Sequence, residues 1–345
     1  LKAIVKYGQS DGEVEIRDVP IPEIGPGEVL LKVEAAGICG WDIEMWRHKM
    51  ANPVKVPVIQ GHEFAGTICK MENNVGAFEI GDRVVSETAA YICGVCPQCR
   101  SGNYNMCAER KGFGYGMDGA FTDYVCVPER CLHKIPDNIS FDHASLTEPA
   151  CVAYNAVFVQ SRIMPGQSVV IIGPGPVGLF CLQMAKIGGA GKIIMVGTDR
   201  DSTRFDTAAK LGADIIINVN KDDTRGIISG ETCGQGAHLV IDAAGNAAAL
   251  DLAMDSVVRC GQITKIGWGP KPVNLSLDRI ISKSVRLQGA FSHTWSTWEA
   301  VLKLIEKGLL DMESMVSRRT KIEQWKNAYE EIEDCKSIKT VFIFD

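Results

Sequence analysis

At 345 residues, 46% of them hydrophobic and 23% charged, the chain can bury a full core and is long enough for two domains. That composition excludes a disordered polymer. With 36 Lys and Arg against 42 Asp and Glu, a formal charge of -6, the chain has no broad basic footprint for nucleic acid or an anionic membrane surface. A small-molecule partner fits better.

The N-terminus, Leu1 to Ile16, mixes Lys2, Lys6, Asp11, Glu13 and Glu15 into its apolar positions and reads as a first strand rather than a secretory leader. Gly, Pro or charge interrupts every later apolar run before the roughly 18 residues that a membrane-spanning helix needs, so a soluble protein is expected. Residues 1 to about 150 are rich in β-branched residues broken by Gly and Pro, as in VPIPEIGPGEVLLKVEAAGICG and FEIGDRVV, an all-β pattern.

Within this region four of the thirteen cysteines, Cys93, Cys96, Cys99 and Cys107, fall within fifteen residues. Four thiolates on one short polar loop can surround a tetrahedral Zn²⁺ with no open position, a structural site. Free thiols or an iron–sulfur cluster are the alternatives. The odd total argues against a complete disulfide framework, and thiolates kept for a metal imply a reducing compartment, the cytoplasm. Cys69, Cys126, Cys131, Cys151, Cys181, Cys233, Cys260 and Cys335 lie scattered among apolar neighbours and read as inert small hydrophobes.

Cys39 ends AAGIC, His62 and Glu63 stand in GHEFAG, and Glu148 stands in LTEPA ahead of the helical stretch CVAYNAVF. A soft, an imidazole and a carboxylate ligand suit a catalytic zinc, which takes three protein ligands and keeps one position for water or substrate. Taken singly, Cys39 is equally a packing residue and His62 a turn residue, and spacing alone does not unite them.

From Ser168 the texture changes to short apolar strands alternating with amphipathic stretches. Six strands are predicted: SVVIIG at Ser168, KIIMVGT at Lys192, DIIIN at Asp214, HLVIDAAG at His238, QITKIG at Gln262 and VRLQGAF at Val285. This is the complement of an α/β fold with a doubly wound parallel sheet that binds a dinucleotide. Gly173, Gly175 and Gly178, with Pro176 and Val177 between the last two, follow the first of these strands and open a helix, the context in which G-x-G-x-x-G permits close approach of a pyrophosphate to a helix N-terminus. Asp199 lies 21 residues after Gly178 at the end of the next strand, where a carboxylate can take both adenosine ribose hydroxyls and repel a 2′-phosphate, favouring NAD. Arg200 and Arg204 offer the contrary option of receiving that phosphate, and Asp199 or Asp201 could cap the following helix. Past Phe291 come helices near Trp298 to Lys307 and near Gln324 to Ile332 and a final strand TVFIF, a segment too small to fold alone, which should return to the first domain.

CGxD at Cys39, GHEFAG at Gly61, GDRV at Gly81, the four-cysteine loop, DGAFTDYV at Asp118, KIPDNIS at Lys134 and TEPA at Thr147 occur in one order. In this the chain resembles the polyol and threonine dehydrogenase branch of the zinc-containing medium-chain dehydrogenases over nearly its whole length. The resemblance implies a GroES-like, mostly-β catalytic domain over 1–157 completed by 292–345, and a six-stranded Rossmann domain over 158–291. It implies two zinc ions per subunit: Cys39 and His62 would hold the catalytic one with Glu63 or Glu148, directly or through water. It also implies pairing of the dinucleotide domains into homodimers or homotetramers.

The chain departs from that pattern in two places. Relatives usually carry Ser or Thr two residues after the zinc cysteine, often with His three residues further on, as a proton relay; here Trp41 and Glu44 stand there, leaving Glu44, a water chain or a cofactor-ribose hydroxyl. Where sorbitol-type relatives often carry a substrate-contacting Arg, this chain has Ser292 and His293, although His293 could equally be a turn residue outside the cleft. With Trp41, Trp46 and His48 as further candidate substrate contacts, a small polyol (tetritol, pentitol, hexitol or cyclitol) shaped differently from sorbitol is expected, and a phosphorylated or carboxylated one is disfavoured. The expected activity is NAD-dependent oxidation of a secondary alcohol. A threonine 3-dehydrogenase-like activity on an amino alcohol is the nearer alternative, and a non-catalytic, zinc-stabilised dinucleotide-binding protein the more distant one.

Overall fold

A computed structural model describes residues 1–50, 54–72, 75–269 and 271–345. The chain forms two compact units, 1–148 with 293–308 and 316–345, and 149–292 with 309–315.

The first unit is built on a mixed sheet whose strands run in the order Val316–Thr320, Lys339–Ile343, Glu28–Gly37, Glu63–Met71, Arg83–Ser86, Leu132–Lys134, with Tyr124–Pro128 also paired to Glu28–Gly37. Glu28–Gly37 is the spine because both its faces are covered, which is why VLLKVEAAG reads as a nearly continuous apolar run instead of alternating. Its end is fixed by two antiparallel registers: Gly37 lies opposite Glu63 on one side and opposite Val341 on the other. A second sheet, Val14–Asp18, Lys2–Lys6, Val58–Ile59, closes over the core of Phe64, Phe121, Tyr329 and Phe342. The N-terminal stretch read as one strand is a hairpin of two, Lys2–Lys6 and Val14–Asp18, because the polar run Gly8 to Gly12 turns the chain between them.

Two elements of this unit carry little sequence signal. Gly40–Trp46 is a helix, too short at seven residues to display a period against the preceding strand. Val316–Thr320, VSRRT, is an edge strand parallel to Lys339–Ile343, and its exposed arginines hide it from a reading based on apolar runs.

The second unit holds a parallel sheet in the order Ile215–Asn218, Lys192–Gly197, Ser168–Ile172, Ala237–Asp242, Val257–Lys265, Arg286–Gly289. All six predicted strands are found among the described residues, in the 3-2-1-4-5-6 order of the doubly wound dinucleotide fold. The central strands are buried along their length, as a sheet covered by helices on both faces requires. The fifth strand begins earlier than read, at Val257, with a register irregularity between Ala237 and Leu239. Among the described residues, no helix is long and apolar enough to cross a membrane.

Candidate active site and coenzyme site

Cys39 is placed by the turn that leaves Glu28–Gly37 and enters the short helix. Its backbone is extended, φ -96 and ψ 154, and its N–H donates to the Asp42 carboxylate at 2.9 Å, so the helix start is capped from inside its own first turn. Gln60 ties down the same turn: its amide donates to the Asp42 carbonyl at 3.2 Å and its oxygen accepts from the Tyr329 hydroxyl at 3.0 Å.

Glu63 begins the neighbouring strand directly opposite Gly37, and the missing side chain there is what makes room for the carboxylate: a Cβ at Gly37 would come within 2.5 Å of Glu63 Oε2. His62 precedes it. One ligand atom each from Cys39, His62 and Glu63 lie within 4.8 Å of one another, all in the first unit.

Glu63 is fully buried and meets Lys339, itself 1% exposed, whose Nζ lies 2.5 Å from both carboxylate oxygens and 2.9 Å from the Ile38 carbonyl. Sequence reasoning missed Lys339, a single Lys at the start of an apolar strand with nothing local to mark it. Glu148 is not one of the three, but from the first turn of Thr147–Tyr154 its charge is felt by Cys39 and Glu63, and it accepts from His293 Nε2 at 3.1 Å.

Burial and the neighbouring carboxylates push the Cys39 thiol well above its ordinary range, and burial raises Glu63 despite Lys339. Burial alone would raise Glu148 too, but the hydrogen bond from His293, with Lys339 nearby, outweighs it and holds that carboxyl low. His62 Nδ1 and Asp42 Oδ1 are buried without hydrogen-bond partners, 4.0 Å apart. A thiol, an imidazole and a carboxylate closed together with an orphaned ring nitrogen are groups that a divalent zinc satisfies at once, so the residues present fit that ion.

The four-cysteine loop fits a second one. Cys93 Sγ lies 3.9 Å from Cys99 Sγ and 3.6 Å from Cys107 Sγ, close to the edge of about 3.8 Å that a tetrahedron with Zn–S near 2.3 Å demands, and far from a disulfide. Backbone N–H groups of Cys93, Cys96 and Cys99 point at Cys107, Cys93 and Cys96 sulfurs at 3.4 Å each, and such donors bring the Cys93 thiol down to about 7. The lobe is fastened to the sheet by Tyr104, whose hydroxyl lies 2.7 and 2.9 Å from the Glu87 carboxylate oxygens.

The other candidate substrate residues separate. Trp41 packs edge-on against Tyr115 with its indole nitrogen buried and unpartnered, and Glu44 is half-buried on the same helix, where burial raises its carboxyl. Trp46 does not line a site: it is 4% exposed and packs edge-on against Trp325 and Tyr329, because the helix turns that face into the core. His48 is exposed past the far end of the helix that Cys39 opens, at φ 51. His293 is 2% exposed with both ring nitrogens engaged, whereas Ser292, at φ 55, gives its carbonyl to Asn155 at 2.8 Å. A cavity of about 590 Å³ among Pro20, Pro22, Pro57, Met117 and Thr122 contains none of these residues.

The scattered cysteines also divide. Cys131, Cys151 and Cys181 are buried, but Cys69, Cys233 and Cys260 are exposed, the last two in left-handed turn conformations that bring them to the surface.

In the second unit, Gly173 turns the chain at φ 102 and Gly175 caps the helix Pro176–Ile187, in which Pro176 and Val177 form the first turn. Gly178 admits no side chain: a Cβ would stand 1.9 Å from the Gly173 carbonyl. Asp199 is exposed at the end of its strand, receives the Asn220 amide, and is held below the usual carboxylate range chiefly by that bond. Asp201 occupies the N-cap position of the helix that follows, but its carboxylate accepts from the Thr198 N–H and hydroxyl at 2.9 Å each, closing the short turn before it, and pairs with Arg204 at 3.1 Å; Arg200 is exposed.

Comparison with known proteins places the whole chain in a family. Residues 25–137 match the alcohol dehydrogenase GroES-like domain family and residues 176–307 the zinc-binding dehydrogenase family. The chain is 33% identical to D-arabitol-phosphate dehydrogenase of Enterococcus avium, covering 99% of this chain and 97% of that protein. It is 34% identical to sorbitol dehydrogenase of Halalkalibacterium halodurans, covering 99% and 98%. A zinc-binding dehydrogenase from Sinorhizobium meliloti 1021, solved bound to NADP, superposes with a TM-score of 0.92 at 29% identity over 99% of both chains. With its GroES-like and Rossmann halves, the chain belongs to the zinc-type, medium-chain alcohol dehydrogenases, in the branch of the polyol and threonine dehydrogenases, and is an oxidoreductase.

Proposed function

We propose that the protein oxidises a secondary alcohol of a small polyol with NAD, using one zinc held by Cys39, His62 and Glu63 and a second held by the four-cysteine loop. The observation that carries this is the buried three-ligand group: three protein donors of mixed type belong to a working zinc, four thiolates to a structural one. A zinc there supplies Lewis-acid polarisation of a substrate hydroxyl, and a nicotinamide supplies the hydride acceptor. Lys339 keeps Glu63 in place, and His293 keeps Glu148 ionised beside the group. Trp41 has no exchangeable hydroxyl, so the proton leaves by Glu44, the half-buried carboxyl on the same helix, or by water.

NAD is favoured over NADP because Asp199 presents a carboxylate where a 2′-phosphate would sit, while Arg204 is committed to Asp201. A polyol is put first because the relatives at 33% and 34% identity are named for a polyol phosphate and a polyol, with L-threonine 3-dehydrogenases, up to 33% identical over the same extent, as the second reading. The free edge strand Arg286–Gly289, with Leu287 40% exposed and Ile281 76% exposed nearby, is where a second subunit would add its sheet. Thirteen cysteines with no disulfide among them fit a reducing compartment such as the cytoplasm.

The test is NADH formation by zinc-loaded protein against tetritols, pentitols, hexitols, cyclitols, a polyol phosphate and threonine, with NAD and with NADP. Turnover of an unphosphorylated polyol with NAD is expected. Turnover of threonine or of a polyol phosphate alone would replace the substrate assignment, and silence across the panel with zinc and NAD bound would replace the activity.

A further inference from the structure

His293 sits between two groups whose chemistry fixes its own. The Trp298 indole N–H lies 2.7 Å from His293 Nδ1, and an indole nitrogen only donates, so Nδ1 must offer its lone pair. A neutral imidazole with a bare Nδ1 carries its proton on Nε2. That nitrogen lies 3.1 Å from Glu148 Oε1 and 3.4 Å from Thr88 Oγ1, two acceptors. Thr88 Oγ1 is itself engaged by Arg110 Nη2 at 2.8 Å, and Arg110 N–H returns to the Cys107 carbonyl at 3.0 Å.

The indole is held in turn. His133 stacks on it at 5.5 Å with planes 9° apart, and His133 is fixed by Glu299 at 2.6 Å and Glu87 at 3.3 Å. Trp298, His293, Thr88 and Glu148 are 1%, 2%, 4% and 8% exposed, so water does not compete readily for these bonds. A proton on Nδ1 would set two buried donors face to face.

We infer that Trp298 locks His293 in its neutral Nε2-protonated tautomer, and that His293, so locked, is a positioning residue that aims the Glu148 carboxylate by a donated hydrogen bond. The link to catalysis rests on the proposed function, in which Glu148 stands ionised beside the three-ligand group; the tautomer does not.

The test uses zinc-loaded protein with ¹⁵N-labelled histidine rings, tractable because the chain has six histidines. A long-range ¹H–¹⁵N correlation, with His293 identified by its loss in His293→Gln, should show a bare Nδ1 and a protonated Nε2. Trp298→Phe, which keeps the stacking face but removes the N–H, should change the His293 Nδ1 resonance. Glu148→Gln should move the Nε2–H resonance and leave Nδ1 bare. An Nδ1-protonated ring or an imidazolium in the unaltered protein overturns the lock, and an Nε2–H resonance indifferent to Glu148→Gln overturns the contact; neither reading needs turnover.

In the kinetic arm, His293→Asn should lower kcat by about 10- to 100-fold at unchanged zinc content and unchanged KM for NAD, as for loss of a partner that orients a ligand. His293→Gln, whose amide nitrogen reaches the Nε2 position, should recover most of the loss. Equal loss in both variants overturns the positioning role.

Discussion

A thiol, an imidazole and a carboxylate buried within 4.8 Å of one another resist their charged forms until a cation joins them. Cys39→Ser should therefore reduce bound zinc from two ions to one per chain and lower turnover by about a thousandfold, the several kcal/mol of polarisation lost, with Tm within about 2–4 °C of the parent. Metal analysis, initial rates and a thermal melt check it. Lys339→Met would leave the Glu63 charge buried without its partner, at a cost of about 3–5 kcal/mol in urea unfolding, and adding Glu63→Gln should return part of that. Asp199→Ala should remove at least tenfold of the preference for NAD over NADP, about 1.4 kcal/mol of repulsion, read from kcat/KM with each coenzyme. At this scale the glycines and the cysteine loop are legible from their spacing, and Cys39 and His62 from the order of their motifs, whereas the choice between Glu63 and Glu148 needed the register that sets Glu63 opposite Gly37. Lys339 and Trp298 are not legible: each acts on a residue far away in sequence or through a ring orientation that no local pattern encodes.

The four-cysteine lobe shows how an element can depend on its ligand. Val95 and Met106 are exposed there and Cys107 is the chief buried residue between Tyr91 and Lys111, so little apolar burial holds the loop. Polar bonds supply other attachments, Arg110 on Thr88 and Tyr104 on Glu87, the latter a hydroxyl that burial and the carboxylate keep protonated and donating. Cys99→Ser should lower Tm by about 5–10 °C and open the lobe to proteolysis between residues 91 and 111, in contrast to Cys39→Ser. Equal loss of folding in both variants would contradict the division into working and structural sites. Elements were legible where burial imposes a long run, as in Ser168–Ile172 and Lys192–Gly197, and hidden where an element is short or lies at an edge, as in Gly40–Trp46 and Val316–Thr320.

For the whole molecule, the parallel sheet was readable because strand and helix alternate continuously in sequence, whereas the first unit draws three separate stretches of chain into one core. If subunits pair at the exposed edge Arg286–Gly289 as proposed, Leu287→Asp should shift the protein to a smaller species by sedimentation while each subunit keeps its zinc, and an unchanged size would place any interface elsewhere. The pairing of Val341 with Gly37 and of Lys339 with Glu63 also sets a timetable for biosynthesis. Glu63 leaves the ribosome 276 residues ahead of its counter-ion, which at roughly 5–20 residues per second is a wait of about 15–55 s. Throughout that interval the nascent chain carries the spine strand without its C-terminal neighbour, an open edge for chaperones to guard, and the Glu63 carboxylate without its buried counter-ion.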